Sequence, residues 1–190
     1  MERPYRVCTG LQDNGTWCGP SSVRAGQILP QDWFRAGGGD GFYTQQDPTD
    51  ANIVYTESQG GSMNRYDFST GEQQSIRPRG PGGRSTRGGG FGGRASVNIV
   101  PEPPTGTQIR QNWNTPFLLS PHNPQTIYAA ANHFFISRDR GDTWTMSPDL
   151  SKNIDRDQVE VMGMKIEVPR CRQLDRGIDC NLSRNDGVSQ

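Results

Sequence analysis

The chain has 190 residues, of which 31% are hydrophobic, with 24 Gly, 14 Pro and a formal net charge of zero. Its length suits one domain of ordinary size, and a low apolar fraction with many turn formers favours short strands over a helical core. Balanced charge excludes an overall field that would draw nucleic acid or an acidic membrane, and no run of about 18 apolar residues is present to form a transmembrane helix.

From the N-terminus, MERPYRVCTG has no apolar h-region and is not a signal peptide. The abrupt opening, and an equally abrupt end at NLSRNDGVSQ, carry the expectation of a fragment of a longer protein. Four cysteines fall as two local pairs, Cys8 with Cys18 and Cys171 with Cys180. Each pair can close a short hairpin as a disulfide in an oxidising compartment, or stay as free thiols. Neither pair has zinc-ligand spacing, and His122 and His133 are distant in sequence, so no metal and no cofactor are expected.

Helical periodicity is almost absent. The apolar stretches are Asn52–Glu57, Ser62–Phe68, Pro116–Leu119, Thr126–Ala130 and His133–Ser137, each bounded by Pro, Gly, Asn or Asp. That punctuation marks strands and hairpins. DPTDANIVYTES (Asp47–Ser58) aligns with SPHNPQTIYAAA (Ser120–Ala131), and Pro48 to Pro121 and Tyr55 to Tyr128 are both 73 residues apart. A Pro/Asx turn followed by a strand is thus one supersecondary unit used twice. With an aromatic stretch before it and a hairpin after it, each copy supplies about four short strands, the content of a propeller blade.

The offset exceeds the roughly 40–50 residues of a usual blade. The excess lies in the Gly/Arg/Pro-rich segment containing RPRGPGGRSTRGGGFGGR, which has too few apolar residues to build a core and reads as a loop. The chain therefore divides into the end of one blade (1–30), a blade (31–79), that loop (80–108), a blade (109–148), a connection (149–181) and the start of another unit (182–190). The fold class expected is all-β: a β-propeller fragment of about three four-stranded blades.

ISRDRGDTWT contains Ser137, Asp139, Gly141, Thr143 and Trp144 in the pattern S-x-D-x-G-x-T-W. A short Asp side chain can accept hydrogen bonds from its own turn, Gly tolerates positive φ, and Trp can bury a large ring at the start of the returning strand. The pattern resembles the Asp-box, or BNR repeat, at every defining position. GLQDNGTW, GGGDGFY, DPTDANIVYTESQGG, WNTPFLLSPHNPQTIY and LSRNDGV further resemble large bacterial proteins with sortilin-like (VPS10-like), xyloglucanase-like propeller domains. The resemblance implies a segment of a larger propeller of roughly seven to ten blades. It also implies an exported parent, secreted or periplasmic, and an Asp-box on the blade periphery, away from the ligand face. DFSTGE in the second unit departs from the pattern and lacks its Trp.

The function expected from this resemblance is a binding or scaffold module for a protein or polysaccharide ligand. The alternative is part of a glycoside hydrolase acting on β-glucan-type polysaccharide, which needs a pair of carboxylates. Candidate carboxylates are Asp40, Asp13 and Asp186, each in a Gly- or Asn-flanked block; Asp40 leads because its glycines let a ligand or a backbone approach closely. Trp33, Phe34, Tyr43 and Trp113 can stack on sugars or pack between sheets. Arg77, Arg79, Arg84, Arg87 and Arg94, with Phe91, form a basic run of the kind that binds single-stranded RNA; a solvated insertion is the plainer reading, and no nucleic acid is expected. His122 reads as a turn residue.

Overall fold

The computed structural model describes residues 5–24, 26–81 and 96–152, and four short strand segments between 160 and 179. Among the described residues the fold is all-β, with a single 3-10 turn at Pro30–Asp32 and no α-helix. Two units are distinct, residues 1–150 and 151–190. The second contains two hairpins, one pairing Glu160–Val161 with Met164–Lys165, the other Arg172–Leu174 with Gly177–Asp179.

The first unit contains three antiparallel sheets. The first sheet has β1 (Arg6–Leu11), β2 (Gly15–Pro20) and β3 (Phe34–Gly37) in that order. The second is a four-stranded meander of β4 (Gly41–Gln46), β5 (Ile53–Ser58), β6 (Ser62–Asp67) and β7 (Glu72–Ser75). The third is another, of β8 (Phe117–Leu119), β9 (Ile127–Ala130), β10 (Phe134–Ser137) and β11 (Thr145–Met146). The boundary expected at residue 30 moves: β3 pairs with β2 and completes the first sheet, so the second begins at Gly41. Hydrogen bonding between neighbouring strands decides this, and sequence punctuation alone does not encode it.

The two turns of the internal repeat share their backbone-capping bonds. Asp47 Oδ1 accepts the amides of Thr49 and Asp50, while Ser120 Oγ accepts those of His122 and Asn123 at the equivalent turn. Asp50 and Asn123 each then accept the amide two residues on, and β5 or β9 follows. The short polar side chain replaces ladder partners that a tight turn cannot supply.

Strand alternation divides the packing. Ile53, Tyr55 and Met63 on the second sheet meet Phe117, Leu119, Ile127, Ala129 and Phe135 of the third, joined by Ile76, Ile99 and Trp144. On the other face, Val54 packs with Ala36 and Cys18 of the first sheet. There Gly10 and Gly41 bring β1 and β4 together so closely that a Cβ on Gly10 would lie 2.3 Å from the Gly41 carbonyl carbon. Cys8 and Cys18 are directly opposite across β1–β2 and are disulfide-bonded. Cys171, Cys180 and Asp186 lie outside the described residues. Replacing Cys8 and Cys18 together by Ser removes a cross-link of sequence separation 10. The expected loss is about 2–3 kcal/mol, read as a lower urea midpoint under oxidising conditions and no difference from the reduced parent.

The described chain on either side of residues 82–95 is joined by reciprocal bonds. Arg79 donates its amide to Asn98 Oδ1, Asn98 returns its amide to the Arg79 carbonyl, and Asn98 Nδ2 reaches the Arg77 carbonyl. The following chain then forms a parallel bridge from Ile99 to Trp144, just before β11. Residues 82–95, including Arg84, Arg87, Phe91 and Arg94, lie outside the described residues. Arg77 and Arg79 are half-buried, and burial lowers the pKa of both.

Candidate functional site

Two places concentrate polar chemistry. The first is the turn after β10. Ser137 Oγ donates to Asp139 Oδ1 at 2.7 Å and accepts the Gly141 amide at 2.8 Å. Asp139 also accepts the Thr143 amide at 2.9 Å and the Thr143 hydroxyl at 2.5 Å. Gly141 has φ +93° and packs on Ile76, while buried Trp144 donates Nε1–H to the Ile76 carbonyl at 2.8 Å. Burial pushes the Asp139 carboxyl up, but the Thr143 and Ser137 hydrogen bonds prevail and hold it below the ordinary carboxylate range. Both carboxylate oxygens are therefore committed to the turn.

A depressed folded pKa contributes stability above the unfolded value that is lost as pH falls through the folded one. Asp139→Ala is expected to cost about 1–3 kcal/mol at neutral pH, with the deficit shrinking in acid, as read by urea unfolding at both pH values.

Beside this turn, a cleft of about 420 Å³ opens against the outer strands of the second sheet, bordered by Arg65, Glu72, Gln74, Arg138 and Asp142. Its charges are largely internally matched. Arg65 pairs with Asp142 at 3.1 Å and reaches the Arg140 carbonyl, and Arg140 pairs with buried Asp47 at 3.1 Å. Tyr55 lies inside this cluster; burial first, then Asp47, pushes its phenol up to about 12.

The second place is where the turns at 12–15, 37–41 and 58–61 and the segment 111–115 come together at one end of the second sheet. Asp40 is buried, and its Oδ1 accepts the Asp13 amide at 2.7 Å. Its own amide donates to Gln59 Oε1 at 2.7 Å, and Gly15 donates to the Gly39 carbonyl. Asp13 stands at φ +58°. Asp40 and Asp13 are thus brought together through a carboxylate-to-backbone bond that joins the first and second sheets.

The aromatic candidates separate. Trp33 covers Gly19 so closely that a Cβ there would meet its ring at 2.5 Å, and Phe34 packs edge-on to Phe68 with Arg6 over both rings. Tyr43 is half-open against Phe117. Trp113 is 61% exposed, its backbone carbonyl held by the Gly60 amide. His122 is exposed in its turn, whereas His133 is buried with Nδ1 against the Ser147 carbonyl.

Sequence reasoning missed Glu57. It is 1% exposed on β5, beside the point where the β4–β5 register shifts between Gly41 and Thr44. Burial raises its carboxyl to about 7, against smaller lowering effects from the amides of Thr115, Tyr43 and Gly61. The available signal was an acid inside the apolar run IVYTES. No helix among the described residues is long and apolar enough to cross a membrane. Comparison with protein-family models finds no match for this chain, and comparison with curated proteins finds none either.

Proposed function

We propose that this chain is a segment of an Asp-box β-propeller of sortilin-like type, serving as a binding or scaffold module of an exported protein. Three antiparallel sheets of three or four strands, stacked through their apolar faces, support a blade-type arrangement. The Cys8–Cys18 bond suits an oxidising compartment. The observation that carries the binding role is Trp113. A large indole is left open beside converging turns whose nearby Asp40 carboxylate is occupied by backbone, an arrangement fitted to stacking on a ligand such as a polysaccharide. Affinity electrophoresis in gels containing soluble β-glucan tests it. Retarded migration that is lost in Trp113→Ala, with the fold retained, is the expected result; equal migration with and without glucan removes the polysaccharide reading.

A glycoside hydrolase is the second reading, favoured by a carboxyl raised to about 7 in Glu57, the property of a general acid at neutral pH. Near-complete burial of Glu57 and the occupied Asp40 oxygen weigh against it. Release of reducing sugar from β-glucan that survives both Asp40→Asn and Glu57→Gln would remove those two residues from any such chemistry.

A further inference from the structure

Glu57 lies where the second sheet meets the chain entering the third. Its Oε1 accepts the amide of Thr115, itself buried, at 3.0 Å, while Oε2 is buried without a hydrogen-bond partner. Gln111, from the same segment, packs on Gly61 and has a buried Oε1 that likewise lacks a donor. An ionised carboxylate here would put a charge, eased only in part by the amides of Thr115, Tyr43 and Gly61, into an interface built from Tyr55, Met63 and Phe117. A proton on Oε2 removes that charge.

We infer that Glu57 is a proton-operated latch between the second and third sheets, closed when the carboxyl is neutral and loosened when it ionises.

The surroundings leave the switching to Glu57. From β4 the nearest titratable group is Tyr43, whose ring packs on Phe117. From β6, Met63 is directly opposite Glu57; Arg65, two residues on, is tied to Asp142 and the Arg140 carbonyl at the Tyr55 end of the strand. Segment 111–117 offers Gln111, Trp113, Thr115 and Phe117, none of them charged. Asp40 is turned to Asp13, and His133, the titratable group at the near end of β10, is held by Ser147. No charged neighbour contributes to the position of the Glu57 carboxyl; burial dominates it.

The sign follows from a folded-state value of about 7, raised above the ordinary 4.5. The stabilisation is complete below the unfolded value and is lost as pH rises through 7. Between those plateaux the folding equilibrium constant is expected to fall on the order of 10²-fold.

The test has two arms on the intact chain. A carbon-detected NMR titration of the Glu57 side-chain carboxyl should give a midpoint near 7; a midpoint below 5 overturns the latch. Urea unfolding of wild type and Glu57→Gln from pH 4.5 to 8.5 should show the variant more stable at pH 8.5, with the 10²-fold loss missing. Parallel pH curves for the two proteins overturn it. If the variant does not fold, amide exchange of Thr115 in wild type, corrected for intrinsic pH dependence, should accelerate above pH 7; unchanged protection overturns it.

Discussion

Trp144→Ala should cost about 3–5 kcal/mol, the range for truncating a large buried aromatic, and should lower the urea midpoint accordingly. The ring is 1% exposed and stands edge-on to Phe135 at 6.5 Å between centroids. Its Nε1–H ties the third sheet to the Ile76 carbonyl just beyond β7, and its backbone is bridged to Ile99. One residue therefore joins the start of β11, the edge of the second sheet and the chain at Ile99. Against a typical total of 5–15 kcal/mol, the loss would leave a substantial unfolded fraction. Trp144→Phe keeps most of the ring and removes the hydrogen bond, so its expected cost is smaller, about 1–2 kcal/mol. Equal stability of Trp144→Ala and wild type would show that the third sheet does not depend on this anchor.

Gly41→Ala should be comparably damaging for the opposite reason, overpacking. Its Cβ would lie 2.5 Å from the Gly15 carbonyl oxygen and 2.8 Å from the Gly10 Cα, and backbone cannot swing aside as a flexible side chain can. The expected cost is about 3 kcal/mol, at the upper end of the overpacking range, and Gly10→Ala should match it. The double variant should cost less than the sum, since separating β1 from β4 once relieves both clashes. Gly38→Ala, whose nearest atom would be 3.9 Å away, is the neutral control. Thermal unfolding of the four proteins decides between a required close approach and a tolerant contact.

What the sequence showed and what it hid divide by range. Turns were legible because their chemistry is local: Asp47–Asp50, Ser120–Asn123 and Ser137–Thr143 each satisfy their backbone within a few residues. The three-sheet organisation is legible in punctuation and the repeat, whereas the pairing of β3 with β2 is not, because strand pairing is decided across space. Asp40 stands out in sequence for its glycines, yet Gly41 serves an approach of backbone to backbone, Gly39 meets the Gln59 side chain, Gly38 has open space, and the Asp40 carboxylate takes the Asp13 amide. Glu57 is not legible in the sequence, because neither its type nor its neighbours reveal burial against Thr115, 58 residues away.

The clasp at Arg79 and Asn98 has a consequence for how such a chain changes over generations. Reciprocal bonds join Arg79 to Asn98, so the chain leaves and re-enters the sheets at one point. Closing a longer loop costs only about 0.6 kcal/mol per doubling of its length. The base of the Gly/Arg-rich segment is thus a place where a change in length between Arg79 and Asn98 is expected to cost the sheets little.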